Sequence, residues 1–505
     1  MGKVYLVGAG PGDPGLLTLK GRELLARADV VVYDFLANQQ FLDFCSAQAE
    51  LIYVGKRGGE HTLSQGDINS LLVEKASQGL EVVRLKGGDP YIFGRGAEEA
   101  EELVQAGIGF EVVPGITSAV AAFAYAGIPL THRKYASSLS LITGHEDADK
   151  KESSLNWSAL AKSASTLVFF MGVKNLASIV RNLIQAGMPK DKPAALVRWG
   201  TTCRQQTICS SLQDIAREAE QQGMRPPALF LVGEVARLRP KLSWFEERSL
   251  LGQGVIVTRA REQASSLLAM LEELGACCYQ FPTIKIQELQ DYSLVDQELA
   301  NLQNYQWLIF TSVNGVCHFW RRLRALNMDS RKLGGCKVAA IGPATADRLR
   351  QEGIEPDFVP DKYVAEHVLQ GLLQRGIQGS RVLIPRAETA REVLPKELEQ
   401  AGAEVRVLPV YRTVLAGENQ QEILQALQQG GIQFVTFTSS STVHNFFQLI
   451  SAKEFANYVN SGLRLACIGP VTAKSLEEYG FQADVLPQEY TIPGLVQALE
   501  QCGEG

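Results

Sequence analysis

The second half of this chain carries one passage written twice. "VIVTRAREQASSLLAMLEELGACCYQFPTIKI" from Val255 is matched by "VLIPRAETAREVLPKELEQAGAEVRVLPVYRT" from Val382. "WLIFTSVNG" from Trp307 is matched by "FVTFTSSST" from Phe434, and Ile341 of "AAIGPATADRL" by Ile468 of "ACIGPVTAKSL". Each pair lies 127 positions apart. A constant interval over so long a span means two copies of one unit, and it is too long for a stacked solenoid repeat. Each copy alternates short β-branched runs with amphipathic stretches, the pattern of parallel sheets covered by helices.

Ahead of the repeat lies "RLRPKLSWFEERSLLGQG", Arg237 to Gly254, which reads as a linker because it is charged and aperiodic. The N-terminal half alternates in the same α/β manner. It has strands "KVYLVG", "DVVVYD" and "EVVRLKGGDP", with helices from Leu16 to Ala28 and over "SQGDINSLLVEKASQG". The formal net charge of −6 excludes a global basic field for nucleic acid or anionic membrane. No basic stretch is followed by an apolar signal run, and no apolar run is long enough to span a bilayer. The nine cysteines form no C-x-x-C pair and the six histidines are dispersed. The expectation is a reduced, cytoplasmic protein with no structural metal.

The opening "VGAGPGDPG" asks for a ligand. Gly8 and Gly10 fill two places of a dinucleotide fingerprint, but Asp13 stands in the third and Pro11 removes an N–H. A nicotinamide or flavin oxidoreductase is therefore a minor alternative. Three further segments, "YVGKRGG" (Tyr53–Gly59), "VVRLKGGDPYIFGRG" (Val82–Gly96) and "VPGITSAVAAFAYAGIPLTHR" (Val113–Arg133), bring glycines, hydroxyls and charge to strand ends and helix starts. With "TGHE" and "MGV", and in this order from Lys3 to about Phe245, they closely resemble the tetrapyrrole methylase family, and within it the uroporphyrinogen-III C-methyltransferases.

That resemblance implies a two-lobed α/β fold, with lobes of about 1–114 and 115–246, and S-adenosylmethionine bound in the cleft between them. Carried over by motif, the cofactor contacts are Pro11, Gly87, Gly88, Asp89, Ile92, Thr117, Ser118, Met171 and Gly200. Asp34 matches the family's general base and Lys56 its acid, and Arg57, Arg95 and Arg133 are candidate partners for an octacarboxylate substrate. Read without the resemblance, Asp34 is equally a strand-end cap, Lys56 a surface lysine, and Thr117 and Ser118 plain N-caps. His145 of "TGHE" has no second ligand at helical spacing, so no metal site is read there. The chain departs from the family pattern at Ala97, Phe123, Cys203 and the Ser210–Ser211 pair.

From about Gly252 to Gly505 the repeated half resembles the uroporphyrinogen-III synthases, through "FTSVNGV", "IGPATA", "LIPRAETARE", "PVYRT", "FTSSSTV" and "IGPVTA". The implied fold has two α/β lobes, 252–286 with 412–505 and 287–411, after a linker at 247–251. Thr311, Ser312, Thr345, Ser439, Ser440 and Thr472 are the candidate substrate contacts. Tyr411 matches a tyrosine that helps a hydroxyl leave, and its counterpart in the first copy is Ile284. Thr and Ser at these turns also serve as caps, Tyr411 as a hinge residue, and Arg259 and Arg386 as a shared salt bridge. The combined expectation is a bifunctional α/β enzyme of sirohaem and cobalamin precursor synthesis. It would take small tetrapyrrole substrates and form a homodimer through the methylase half. The S-adenosylmethionine belongs to that half, and the synthase half needs no cofactor. Alternatives are a methylase of a later corrin precursor with a vestigial synthase half, and a bilobal binding protein.

Overall fold

The computed structural model describes residues 2–55, 63–144, 155–259, 261–360, 365–389, 393–417 and 419–503. Two units divide the chain. The first comprises Met1–Val255, Leu267–Cys278 and Val496–Gly505, and the second Ile256–Ser266 and Tyr279–Leu495.

The first unit opens with five strands, β1 (Lys3–Gly8), β2 (Val30–Tyr33), β3 (Glu50–Tyr53), β4 (Glu81–Lys86) and β5 (Gly109–Val113). They form an all-parallel sheet in the order β3-β2-β4-β1-β5. The central strands β1 and β4 are buried along most of their length, as expected where helices cover both faces, although β4 carries Arg84 and Lys86 among its buried residues. The first helix runs Leu19–Arg27, three residues later than the sequence suggests. Asp13 caps a short 3-10 turn at Pro14–Leu16, and Thr18 then caps the helix by accepting from Gly21 N–H.

A second, mixed sheet follows, built from β6 (Leu139–Thr143), β7 (Thr166–Phe170), β8 (Pro193–Arg198), β9 (Gln206–Ser211) and β10 (Ala228–Gly233). Its order is β6-β7-β10-β8-β9, parallel only between β6 and β7. The stretch read as a linker is ordered instead. Phe245 is buried against Tyr125, with ring centres 4.8 Å apart, and Arg248 lies over the Phe245 ring. Leu250 is fully buried, its N–H donates to Leu274 C=O, and Ser249 Oγ donates to Glu500. Aromatic and leucine side chains scattered among charges were enough to pack it. A second correction concerns the cysteines: Cys203 and Cys277 are joined in a disulfide, 74 residues apart. Spacing in the sequence could not reveal that pair.

Two further sheets follow in the C-terminal half of the chain. β11 (Gly254–Val257), β12 (Cys277–Gln280), β18 (Phe434–Phe437) and β19 (Arg464–Cys467) form one, in the order β12-β11-β18-β19. β13 (Ile284–Gln287), β14 (Trp307–Phe310), β15 (Lys337–Ala340), β16 (Arg381–Ala387) and β17 (Glu404–Leu415) form the other, in the order β13-β17-β16-β14-β15. Strands β14 and β15 begin 127 positions before β18 and β19, and β11 and β12 begin 127 before β16 and β17. Each sheet therefore joins the front of one copy to the back of the other. Equivalent side chains do equivalent work, since Asp357 accepts from Val338 N–H and Asp484 from Leu465 N–H, both at 2.7 Å. No described helix is long and apolar enough to cross a membrane.

Candidate functional site

Strand ends of the first sheet open into loops that touch backbone to backbone. Gly10 N–H donates to Gly88 C=O at 3.1 Å and Gly88 N–H to Gly10 C=O at 2.7 Å, which ties the "GAGPG" and "KGGDP" loops together. Gly115 completes the contact. A Cβ there would overlap the Gly88 carbonyl and lie 2.7 Å from Gly8 Cα. These glycines are needed for close approach.

Above this junction lies a cavity of about 560 Å³, within the size range of small-molecule sites. Pro11, Gly87, Gly88, Ser118, Met171 and Gly200, all expected from the sequence, line it. Thr117 holds the N-cap position of the helix Ser118–Tyr125 without making the usual side-chain cap bond. Ile92 is partly exposed, and its N–H donates to Asp89. Asp89 has a bracing role. One carboxylate oxygen accepts from Tyr91 and Ile92 N–H, and the other accepts from Gly115 N–H at 3.1 Å. Its oxygens hold the loops that wall the cavity.

Asp13, which spoils the dinucleotide fingerprint, has a comparable task. Its carboxylate accepts from Gly15 N–H and, at 2.6 Å, from the Tyr125 hydroxyl, while its own N–H donates to Thr201. The loop carrying Pro11 and Gly12 is thereby fastened to the helix Ser118–Tyr125 and to the turn after β8. The Tyr125 phenol is pushed well above its ordinary pKa, by burial first and then by the Asp13 bond.

Asp34 follows β2. One oxygen accepts from Leu36 N–H at 3.1 Å, and the other pairs with Arg84 at 3.2 Å. Lys56, Arg57 and His145 lie outside the described residues. Arg95 already makes a two-point pair with Glu98, at 2.6 and 2.9 Å, whereas Arg133 is exposed.

Several cavity residues escaped the sequence reading, among them Phe35, Leu36, Lys174, Trp199 and Pro227. Trp199 and Met171 follow β8 and β7 in left-handed conformations, φ 50° and 54°, which place the side chains at the cavity wall. For Trp199, the one of the two not expected from the sequence, the signal available was position alone, since it follows a strand end beside a glycine.

In the second unit, Ser312 caps the helix Val313–Ala325 and lies 3.3 Å from the Tyr411 hydroxyl. His318 stacks on the Tyr411 ring at 5.2 Å. Burial raises the Tyr411 phenol, with the Ser312 bond opposing. Thr311 stands in the same turn, partly buried. Ser439 caps the helix Ser440–Leu449 in a reciprocal box with Thr442, and Ser440 Oγ donates to Val471 C=O. Thr345 and Thr472, in the first turns of the helices Pro343–Gln351 and Pro470–Glu477, are each only 4% exposed. The cap readings of Ser312 and Ser439 thus hold alongside any substrate role.

Comparison with known proteins divides the chain into an N-terminal and a C-terminal half. Residues 3–216 match the family Tetrapyrrole (Corrin/Porphyrin) Methylases, and residues 265–497 match Uroporphyrinogen-III synthase HemD. The chain is 37% identical over 504 residues to the porphyrin biosynthesis protein HemD of Ruminiclostridium josui, covering 100% of this chain and 99% of that one. It is 42% identical over 362 residues to a uroporphyrinogen-III C-methyltransferase of Bacillus subtilis, covering 70% and 74%. Over 237 residues it is 54% identical to the S-adenosyl-L-methionine-dependent uroporphyrinogen III methyltransferase of Methanosarcina barkeri, covering 47% and 93%. The chain therefore belongs to two families at once, the tetrapyrrole methylases through its N-terminal half and the uroporphyrinogen-III synthases through its C-terminal half.

Proposed function

We propose that this bifunctional enzyme cyclises hydroxymethylbilane to uroporphyrinogen III and then methylates that product at C-2 and C-7 to give precorrin-2. Residues 1–246 are assigned to the methylase and 252–505 to the synthase. The observation that carries the reading is the cavity of about 560 Å³ walled by the "GAGPG" and "KGGDP" loops. Its residues suit S-adenosylmethionine. The wall is bare backbone at Gly87 and Gly200, where packing leaves no space for a side chain: a Cβ at Gly87 would meet Leu36 at 2.6 Å and one at Gly200 would overlap Ala122. Apolar Leu36, Val197 and Leu229 provide a dry wall, and Ser118 and Asn38 supply hydrogen-bonding groups. When bound, S-adenosylmethionine supplies an electrophilic methyl group. The chain's part is to hold the acceptor carbon in line, exclude water and take up the released proton. Asp34, fixed at both oxygens beside Phe35 and Leu36, is assigned the proton acceptor, and Lys56 the donor.

In the synthase half, Tyr411 is assigned the group that helps the bilane hydroxyl depart, with Ser312 within reach of its phenol. A cytoplasmic homodimer that binds no nucleic acid, as expected from the sequence, completes the reading. The test supplies hydroxymethylbilane with S-adenosylmethionine and resolves products by isomer and mass. A parallel arm supplies uroporphyrinogen III directly. Type III product carrying two added methyl groups is expected. Spontaneous type I product alone would remove the synthase assignment, and unmethylated type III in both arms would remove the methylase assignment.

A further inference from the structure

Behind Asp34 lies a buried ionic cluster that the mechanism above leaves unused. Arg84 and Lys86 are two apart on β4 and so share a face of the strand. Their exposures are 3% and 4%, and Glu99, on the helix Gly96–Gln105, has none. Glu99 Oε1 accepts from Lys86 Nζ at 2.6 Å, from Arg84 Nε at 3.2 Å and from Gln65 Nε2 at 3.2 Å. Burying such a cluster adds little to stability, because desolvation offsets most of the attraction. Its members also differ in reach. Lys86 ends on Glu99, but Arg84 continues to the surface of the cluster. Its Nη1 donates to the carbonyls of Val32 and Leu85, and its Nη2 to Asp34 Oδ2 at 3.2 Å. All three guanidinium nitrogens are thus engaged, and the plane of the group is set by Glu99 and by backbone. Asp34 receives from that plane on one oxygen and from Leu36 N–H on the other. Leu36 is itself part of the cavity wall.

We infer that Arg84 is a positioning residue of the methylase: anchored on buried Glu99, it sets the direction in which the Asp34 carboxylate faces the cleft. The inference rests on the assignment of Asp34 as proton acceptor. A carboxylate free to rotate presents its lone pairs in many directions, and a proton acceptor a fraction of an ångström out of place loses much of its effect. Lysine cannot replace Arg84 here, because a single ammonium cannot meet Glu99, two carbonyls and Asp34 at once.

The test uses the full chain, whose synthase turnover is an internal control for folding. Arg84→Lys keeps the charge and loses the fork. Methyl-transfer kcat should fall about tenfold or more, part of the roughly 10²–10⁴ that a general base contributes. S-adenosylmethionine affinity and synthase turnover should stay within about twofold. In an Asp34→Asn background the same substitution should cost nothing further, because its effect passes through Asp34. Glu99→Gln preserves shape and weakens the anchor, so it should reduce kcat in the same selective way. It is also the variant to read if Arg84→Lys fails to fold. A normal kcat in the folded variants, or an equal loss with and without Asp34, would overturn the positioning role. If Asp34→Asn alone leaves methyl transfer intact, the proton-acceptor assignment fails, and this inference falls with it.

Discussion

Tyr125→Phe is the perturbation that most directly examines how the methylase cleft is held. The change removes one hydroxyl, which donates at 2.6 Å to Asp13. It leaves the ring to pack on Trp244 and Phe245, whose centres lie 5.0 and 4.8 Å away. A hydrogen bond to a charged acceptor contributes about 1.5–3 kcal/mol. Both partners are only partly buried, so water recovers some of this and a loss of about 1–2 kcal/mol is expected. For a unit of this size that lowers the melting temperature by roughly 3–6 °C. Affinity for S-adenosylmethionine should fall by no more than about tenfold, because ~1.4 kcal/mol is a factor of ten and the loop bearing Pro11 keeps its Gly15 and Thr201 ties. The sign of the pH dependence follows from the raised phenol. A group whose pKa is higher folded than unfolded contributes stability that is complete below its unfolded value, near 10, and is lost as pH climbs through the folded value. The gap between wild type and variant should thus be constant from neutral pH to about 9 and shrink above 10. Calorimetry across that range, with ligand titration at neutral pH, measures both. An unchanged melting temperature and affinity, or a gap that persists undiminished at pH 11, would refute the idea that Asp13 and Tyr125 fasten the loop.

Gly115→Ala should cost about 1–3 kcal/mol or more, because three backbones meet there, and should abolish cofactor binding; melting and titration of one sample check both. Tyr411→Phe changes almost no volume, so the second unit should melt normally, while ring closure slows by about tenfold or more and the type I fraction rises. Wild-type turnover and isomer ratio would return Tyr411 to the scaffold. Cleavage at an engineered site beside Ser249 should leave both pieces joined through Cys203 and Cys277 until reductant is added. Separation on a non-reducing gel would contradict that bond.

Strand runs, the glycine loops at their ends and the duplication in the second half were legible in the sequence, because each rests on near neighbours in the chain or on self-similarity. The glycine loop after a strand was likewise enough to mark Gly87 and Gly88, and the family resemblance added Pro11 and Gly200; all four line the cavity. The work done by the acids was not legible. Asp13 reads only as a break in the dinucleotide fingerprint and Asp89 as a cofactor contact carried over from the family; that their oxygens accept from Tyr125, Gly15, Tyr91, Ile92 and Gly115, partners as far as 112 residues away, is visible only in the fold. The bond between Cys203 and Cys277, the packing of Phe245 and Leu250, and the left-handed turns at Met171 and Trp199 were equally hidden. Local pattern says which segments seek a buried face, but not which surface buries them. The second unit makes the point on a larger scale. Two copies of one pattern can each fold onto themselves or exchange halves, with the same strands and the same periodicity either way. Pattern alone cannot decide, since nothing within either copy distinguishes its own second half from the other's; only the family resemblance implied the exchange that tertiary packing realises, with β11 and β12 beside β18 and β19, and β16 and β17 beside β14 and β15.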